Sequence, residues 1–293
     1  MTKTAWVFPG QGSQAIGMGV DLVDTKTAQQ RFAQAEAILG WSVPEVCQRE
    51  DDKVSTTLYT QPCLYVVECI LADLLMEQGH VPDFVAGHSL GEYVALYVAK
   101  VFDFESGLKL VKRRSELMSQ ASEGMMAALM GFKRPDLDEV LASTHGAVLA
   151  NDNSPGQVVI SGTPEGVQAV MDSIKAKRKV VLKVSGAFHS PLMADAASEY
   201  QPILDAVPFQ DAQMSVLSNV DPTPATDATT LKQRLTEQIT GAVRWCEISQ
   251  ALADEGVDRI QEIGPGKVLT GLIKRTHKGV ALENINSLAA ISA

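Results

Sequence analysis

The stretch Asp83-Phe84-Val85-Ala86-Gly87-His88-Ser89-Leu90-Gly91-Glu92 reads as a short apolar strand that breaks at a glycine, presents a serine and restarts as a helix. This is the nucleophile-elbow pattern: Gly87 and Gly91 flank Ser89 because strand and helix backbones approach too closely there for side chains. The serine must then sit in a sparsely populated conformation with its hydroxyl pushed above the sheet. Leu90 turns its backbone N–H toward the same space, at a helix N-terminus that favours negative charge. A chain of this length meets Gly-x-Ser-x-Gly by chance about one time in ten. The context adds weight, because Glu92 to Ala99 follows as a buried helix would. An ordinary strand-to-helix turn is the competing reading.

Working outward, Ala5 to Phe8 is a first buried strand followed by the glycine-rich loop Pro9-Gly10-Gln11-Gly12-Ser13-Gln14. The loop lacks the Gly-Lys-Ser/Thr ending of a phosphate-binding P-loop, as does Gly264-Pro265-Gly266-Lys267. Helices are expected over 27–39 and 62–78, the second opened by Thr60 and Pro62. Asp103 caps a further helix to Ala121, on which Leu110, Val111, Leu117 and Met118 share one arc. Arg114 lies in the middle of that arc. A guanidinium there needs a partner, either a protein carboxylate or a ligand carboxylate.

From Met125 the pattern changes to strand 126–131, helix 136–143, strands 147–151 and 157–161 around an Asn-Ser-Pro-Gly turn, helix 164–177 and strand 180–184. The order βαββαβ is the ferredoxin-like arrangement. The fold class expected is therefore α/β: a large domain (1–124 and 190–293) with a parallel-sheet, serine-hydrolase-like core, and a small ferredoxin-like domain (125–189) inserted into it. On the return segment, Phe188-His189-Ser190-Pro191 places His189 at a strand-to-helix junction. Serine needs a general base. Of five histidines, His189 is the natural choice, and His88 is expected to project from the opposite side of the turn. Helices are expected over 230–240, with Gln238 near the end, and 248–255, and a strand over 260–263.

The bulk properties narrow the function. The 293 residues are 45% hydrophobic, ample for a sizeable core. A net charge of −10 argues against nucleic acid and anionic membranes as partners. The N-terminal apolar run is too short for a signal peptide, and Cys63 to Met76 stays below the ~18 residues that span a bilayer, so a cytoplasmic protein is expected. Cys47, Cys63, Cys69 and Cys246 have neither zinc nor redox spacing and read as buried free thiols.

Six motifs in order are Phe8-Pro9-Gly10-Gln11-Gly12-Ser13-Gln14, Gly87-His88-Ser89-Leu90-Gly91-Glu92, Arg114, Asn153-Ser154-Pro155-Gly156-Gln157, Phe188-His189 and Gly264-Pro265-Gly266-Lys267-Val268-Leu269. In these the chain resembles the malonyl-CoA:acyl carrier protein transacylases of fatty acid synthesis and, more distantly, polyketide synthase acyltransferase domains. The resemblance implies that Ser89 is the acylated nucleophile, His189 its base, and the Gln11 and Leu90 N–H groups the oxyanion hole. Arg114 would bind the malonyl carboxylate, with Phe188, Met118 and Asn153 completing the substrate site. Gln238 matches the glutamine whose main-chain carbonyl orients the histidine, although Gly241-Ala242 departs from the Asn-Pro often found just beyond it. The implied partners are malonyl-CoA, as substrate, and an acyl carrier protein. No cofactor, metal or membrane is implied, and a monomer is expected. Acidic carrier proteins need a local basic patch on an acidic enzyme; Lys274 and Arg275 are the favoured candidates, and Lys175, Lys177, Arg178 and Lys179 in the small domain are the alternative. A polyketide-pathway acyltransferase and a lipase- or patatin-like serine hydrolase are the alternatives.

Overall fold

The structure, a computed structural model, describes residues 2–121, 124–184 and 186–291. Positions 1, 122, 123, 185, 292 and 293, which fall within the two expected domain ranges, lie outside it. In chain order the described strands are β1 (Thr4–Phe8), β2 (Phe84–Gly87), β3 (Met125–Met130), β4 (Ala147–Ser154), β5 (Gln157–Gly162), β6 (Arg178–Val181), β7 (Ser215–Leu217), β8 (Arg259–Ile263) and β9 (Ala281–Ile285). The helices are α1 (Lys26–Leu39), α2 (Val43–Gln48), α3 (Thr57–Glu77), α4 (Gly91–Val98), α5 (Phe104–Gln120), α6 (Arg134–Ser143), α7 (Pro164–Ser173), α8 (Ala194–Ala206), α9 (Ala228–Glu237), α10 (Trp245–Asp254), α11 (Val268–Thr276) and α12 (Leu288–Ile291).

Five strands form an all-parallel sheet in the order β7-β2-β1-β8-β9. β1 and β2 are buried along almost their whole length because helices cover both faces, which is why both read as continuous apolar runs. In a parallel sheet every strand's carboxyl end lies on the same edge. The loops after β1, β2, β7 and β8 therefore converge there, where open α/β sheets bind ligands.

The second sheet is antiparallel, in the order β4-β5-β3-β6. Strand alternation divides its faces. Ala127, Leu129, Val158 and Ile160 pack with Leu137 of α6 and with Val167 and Val170 of α7, whereas Met126, Ala128 and Val159 join the main core. A backbone seam ties β4 to the segment before α10, through Asp152 N–H to Val243 O (2.9 Å) and Val243 N–H to Ala150 O (2.8 Å).

Several boundaries differ from expectation. α3 begins at Thr57, before Pro62, because Thr60 already donates through both its N–H and its hydroxyl to Thr56 O. Pro62, which lacks an N–H, sits inside a helix already started. The helix is thereby long and apolar enough to cross a membrane by length and composition, yet 89% of its most apolar window is buried as the core of the main body. β4 continues to Ser154, so the turn into β5 is only Pro155-Gly156. α7 ends at Ser173, and the following strand is Arg178–Val181. Asp103 caps α5 as expected, its carboxylate accepting from Ser106 N–H at 2.7 Å. Cys47, Cys63 and Cys69 are buried free thiols, and Cys246 is half-buried.

Candidate active site

Ser89 stands between β2 and α4 with φ of 53°, in the left-handed region that penalises a side chain. Two features enforce this turn. A Cβ on Gly87 would overlap the Gly91 backbone, and one on Gly91 would overlap the Phe8 carbonyl, so strand, turn and helix meet backbone to backbone. Asn219, just beyond β7, then clamps both sides of the serine: its Oδ1 accepts from Ser89 N–H (2.7 Å) and its Nδ2 donates to Gly87 O (2.5 Å).

Ser89 Oγ lies 2.8 Å from His189 Nε2. His189 also has positive φ, 56°, and is almost wholly buried. Its Nδ1–H is shared between the carbonyls of Gln238 (3.0 Å) and Gly241 (3.1 Å). Two acceptors on Nδ1 fix the tautomer, leaving Nε2 free to accept the serine proton. Burial, and then the nearby Arg114 charge, lower the His189 pKa to about 3, so the imidazole is neutral at ordinary pH.

Arg114 is 1% exposed. Among the described residues no protein carboxylate pairs with it. Nη1 donates to Gln61 Oε1 (2.6 Å), and Nη2 donates to Ser89 Oγ (3.0 Å) and Gln238 Oε1 (3.1 Å). The plane lies over Tyr93, 5.5 Å from the ring centroid, and among the described residues Nε meets no acceptor. An arginine held by amide and hydroxyl oxygens keeps its charge available to an anion.

Gln238 joins these parts. Besides its carbonyl on His189, its Nε2 donates to Ser89 O (2.9 Å) and to Glu92 Oε2 (2.8 Å). Glu92, on the first turn of α4, is fully buried and also accepts from Asn219 N–H (3.2 Å). Burial raises its pKa to about 7 against the opposing pull of these hydrogen bonds.

A cavity of about 200 Å³ opens above Ser89, between the carboxyl edge of the parallel sheet and the inward face of the antiparallel one. Gln11, Leu90, Arg114, Met118, Asn153, Phe188 and His189 all line it, as do Gln61, Met126 and Val159. Among the described residues the Gln11 and Leu90 N–H groups donate no hydrogen bond. His88 lines the cavity as well, which corrects the expected opposite-side orientation. Its Nε2 pairs with Asn153 Oδ1 (2.8 Å) rather than with Ser89, and the ring packs against Trp245, 5.6 Å between centroids. Lys274 and Arg275 are exposed on α11, whose Val268, Leu269 and Leu272 form one cavity wall. Arg275 reaches Gln157 of β5 at 2.8 Å.

Sequence reasoning missed Asn219, Gln61, Glu92 and the Gly241 carbonyl. Gln61 and Glu92 left a signal, as polar residues inside apolar helical runs. Asn219 follows a strand of only three residues that carried none.

Fold and comparisons with known proteins together define an α/β acyltransferase. The chain belongs to the acyl transferase domain family, whose model matches residues 5–291. It is 57% identical over 286 residues, 98% of each chain, to the malonyl CoA-acyl carrier protein transacylase of Synechocystis, and 40% identical over 290 residues to that of Bacillus subtilis, covering 95% and 92% of the two chains. The crystal structure of the Synechocystis enzyme superposes with a TM-score of 0.97 at 56% identity, covering 99% of each chain. A malonyl-transacylase in complex with a type II polyketide acyl-carrier protein superposes at 0.94 with 35% identity, covering 99% and 98%.

Proposed function

We propose that the chain transfers malonyl from malonyl-CoA to the pantetheine thiol of an acyl carrier protein, through a malonyl ester on Ser89, in fatty acid synthesis. The observation that carries this reading is the Arg114 guanidinium, buried without a carboxylate partner and 3.0 Å from the serine hydroxyl. A lipase-like hydrolase has no use for it, and the family relatives bear the name of the transfer.

Ser89 and its turn act as a nucleophile elbow. His189 Nε2 takes the Oγ proton as the oxygen attacks the thioester carbonyl, and the Gln11 and Leu90 N–H groups receive the developing oxyanion. The C–S bond breaks, the proton passes from His189 to the departing sulfur, and coenzyme A leaves as the thiol. The carrier's pantetheine thiol then runs the same steps in reverse. Arg114 holds the malonyl carboxylate by charge-assisted hydrogen bonds, fixing the ester's pose. Phe188, Met118 and Asn153 bound the acyl pocket. No cofactor takes part in this scheme.

In this reading residues 125–189 form an inserted ferredoxin-like domain, supported by the strand order β4-β5-β3-β6 with two helices on one face. Residues 1–124 and 190–293 form the catalytic domain. Lys274 and Arg275, exposed on the helix whose Val268, Leu269 and Leu272 wall the cavity, suit docking of an acidic carrier. The protein acts in the cytoplasm as a monomer. Intact-mass analysis after malonyl-CoA treatment tests the activity: a malonyl adduct that carrier protein discharges supports it, while rapid release of free malonate without transfer overturns it in favour of a hydrolase.

A further inference from the structure

Arg114 Nη2 donates a hydrogen bond to the same oxygen that must attack the substrate. Ser89 Oγ therefore donates to His189 Nε2 and accepts from a buried cation in the resting site. We propose that this contact restrains the nucleophile until a carboxylate on the incoming acyl group takes over the Arg114 donor, so that malonyl is selected at the acylation step as well as in binding. The inference rests on the acyl-serine reading above and deepens it.

The guanidinium occupies one of the two Oγ lone pairs and withdraws electron density from the oxygen, so Oγ attacks more readily once Nη2 is satisfied elsewhere. In water the vacated N–H would be solvated at once. Here Arg114 is buried, and its other protein partners are the amides of Gln61 and Gln238 and the side chain of Tyr93. Among the described residues Nε already lacks an acceptor. An acetyl group brings no replacement, and leaving a charged donor unmet slows attack roughly five- to a hundredfold. A malonyl carboxylate supplies the missing acceptor and cancels the charge.

The cancelled charge has a second effect on the base. Arg114 is, after burial, the largest influence holding His189 below its usual basicity. Neutralising it with the substrate's own carboxylate raises the affinity of Nε2 for the serine proton, and does so only when the correct acyl group is in place. The other groups facing His189 do not reproduce this effect. His88 is a further, weaker lowering influence, and the two carbonyls on Nδ1 are fixed.

Splitting the substrate into two pieces tests the proposal. Acetyl-CoA with sodium formate presents the methyl thioester and the carboxylate of malonyl-CoA as separate molecules. Acetylation of Ser89 in the wild-type protein is followed by rapid quench and intact mass at saturating acetyl-CoA, against chloride at equal ionic strength. Formate is expected to raise the acetylation rate constant about fivefold or more. Arg114→Ala is expected to acetylate faster than the wild type without formate and to ignore formate. Formate that leaves the wild-type rate unchanged, or slows it, overturns the restraint and leaves Arg114 an anchor alone. The wild-type comparison decides even if Arg114→Ala does not fold. Failure of malonyl-CoA itself to acylate Ser89 would instead overturn the acyl-serine reading beneath it.

Discussion

Ser89 and His189, 100 positions apart in the chain, share a 2.8 Å hydrogen bond across which both backbones are held at positive φ, 53° and 56°. Strain of this kind costs about 1–3 kcal/mol per residue and persists only where surrounding contacts over-determine it. Asn219 supplies those contacts on the serine side. On the other side His189 is held by the Gln238 and Gly241 carbonyls, while the Ser190 hydroxyl donates to Ala187 O at 2.6 Å and caps the following turn by accepting from Leu192 N–H at 3.3 Å.

Ser89→Ala is expected to form no malonyl adduct by intact mass. His189→Ala should keep the fold, by circular dichroism, and lose about 10²- to 10⁴-fold in transfer rate, the usual contribution of a positioned general base. A persistent adduct in Ser89→Ala would move the nucleophile elsewhere.

Asn219→Ala removes an acceptor and a donor at once, leaving Ser89 N–H and Gly87 O buried and unmet. The expected loss is about 1–3 kcal/mol per group in urea unfolding, with a fall in acylation rate larger than the fall in malonyl-CoA affinity. Equal unfolding midpoints for variant and wild type would show that the glycines alone maintain the turn.

The pH dependence follows from two opposite shifts. His189 is lowered from 6.5 to about 3, so as pH falls through that window the unfolded chain takes up a proton that the folded site refuses, and stability is lost. Glu92 is raised from 4.5 to about 7, so its contribution is full below 4.5 and is lost as pH rises toward 7. Thermal melts of Glu92→Gln should therefore improve relative to wild type between pH 5 and 8, and a pH-independent difference would contradict the raised carboxyl. For the same reason kcat/KM for malonyl transfer should show no acid limb near pH 6.5.

Phe188 lines the cavity beside the base, so Phe188→Ser is expected to relax exclusion of methylmalonyl-CoA. One methyl in a pocket is worth ~1–3 kcal/mol, so the shift should be partial. An unchanged ratio of malonyl to methylmalonyl transfer would remove Phe188 from the selection.

Lys274→Glu combined with Arg275→Glu should raise the apparent KM for the carrier protein, leave acylation by malonyl-CoA nearly intact and flatten the salt dependence, since rim charges act on encounter rate. Unchanged salt dependence would shift attention to Lys175, Lys177, Arg178 and Lys179.

Residues governed by local rules were readable from sequence. Gly87 and Gly91 announced the turn, Asp103 announced its helix, and the strand and helix order from Met125 onward announced the second sheet. What sequence did not carry was who meets whom across the fold. Periodicity put Arg114 on a buried face, but only the assembled helices bring Gln61 and Gln238 to it. Asn219 escaped because three residues of β7 are too few to show a period. α3 was placed too late because Pro62 reads locally as a helix start, whereas Thr56 and Thr60 had already begun one.

The placement of the cysteines has a chemical consequence of its own. None of the four thiols lines the cavity; a hydrogen bond with Cys47, and then burial, push the Cys63 thiol well up, and burial does the same to Cys69, away from the thiolate form that exchanges disulfides. Coenzyme A and pantetheine both end in a free sulfhydryl, and each waits in the cleft at some stage of the cycle. A mixed disulfide with the wall would trap that visitor under oxidising stress. With the thioethers of Met118 and Met126 as the sulfur-bearing groups of the wall, the cargo's sulfhydryl meets no thiol there with which to form a disulfide.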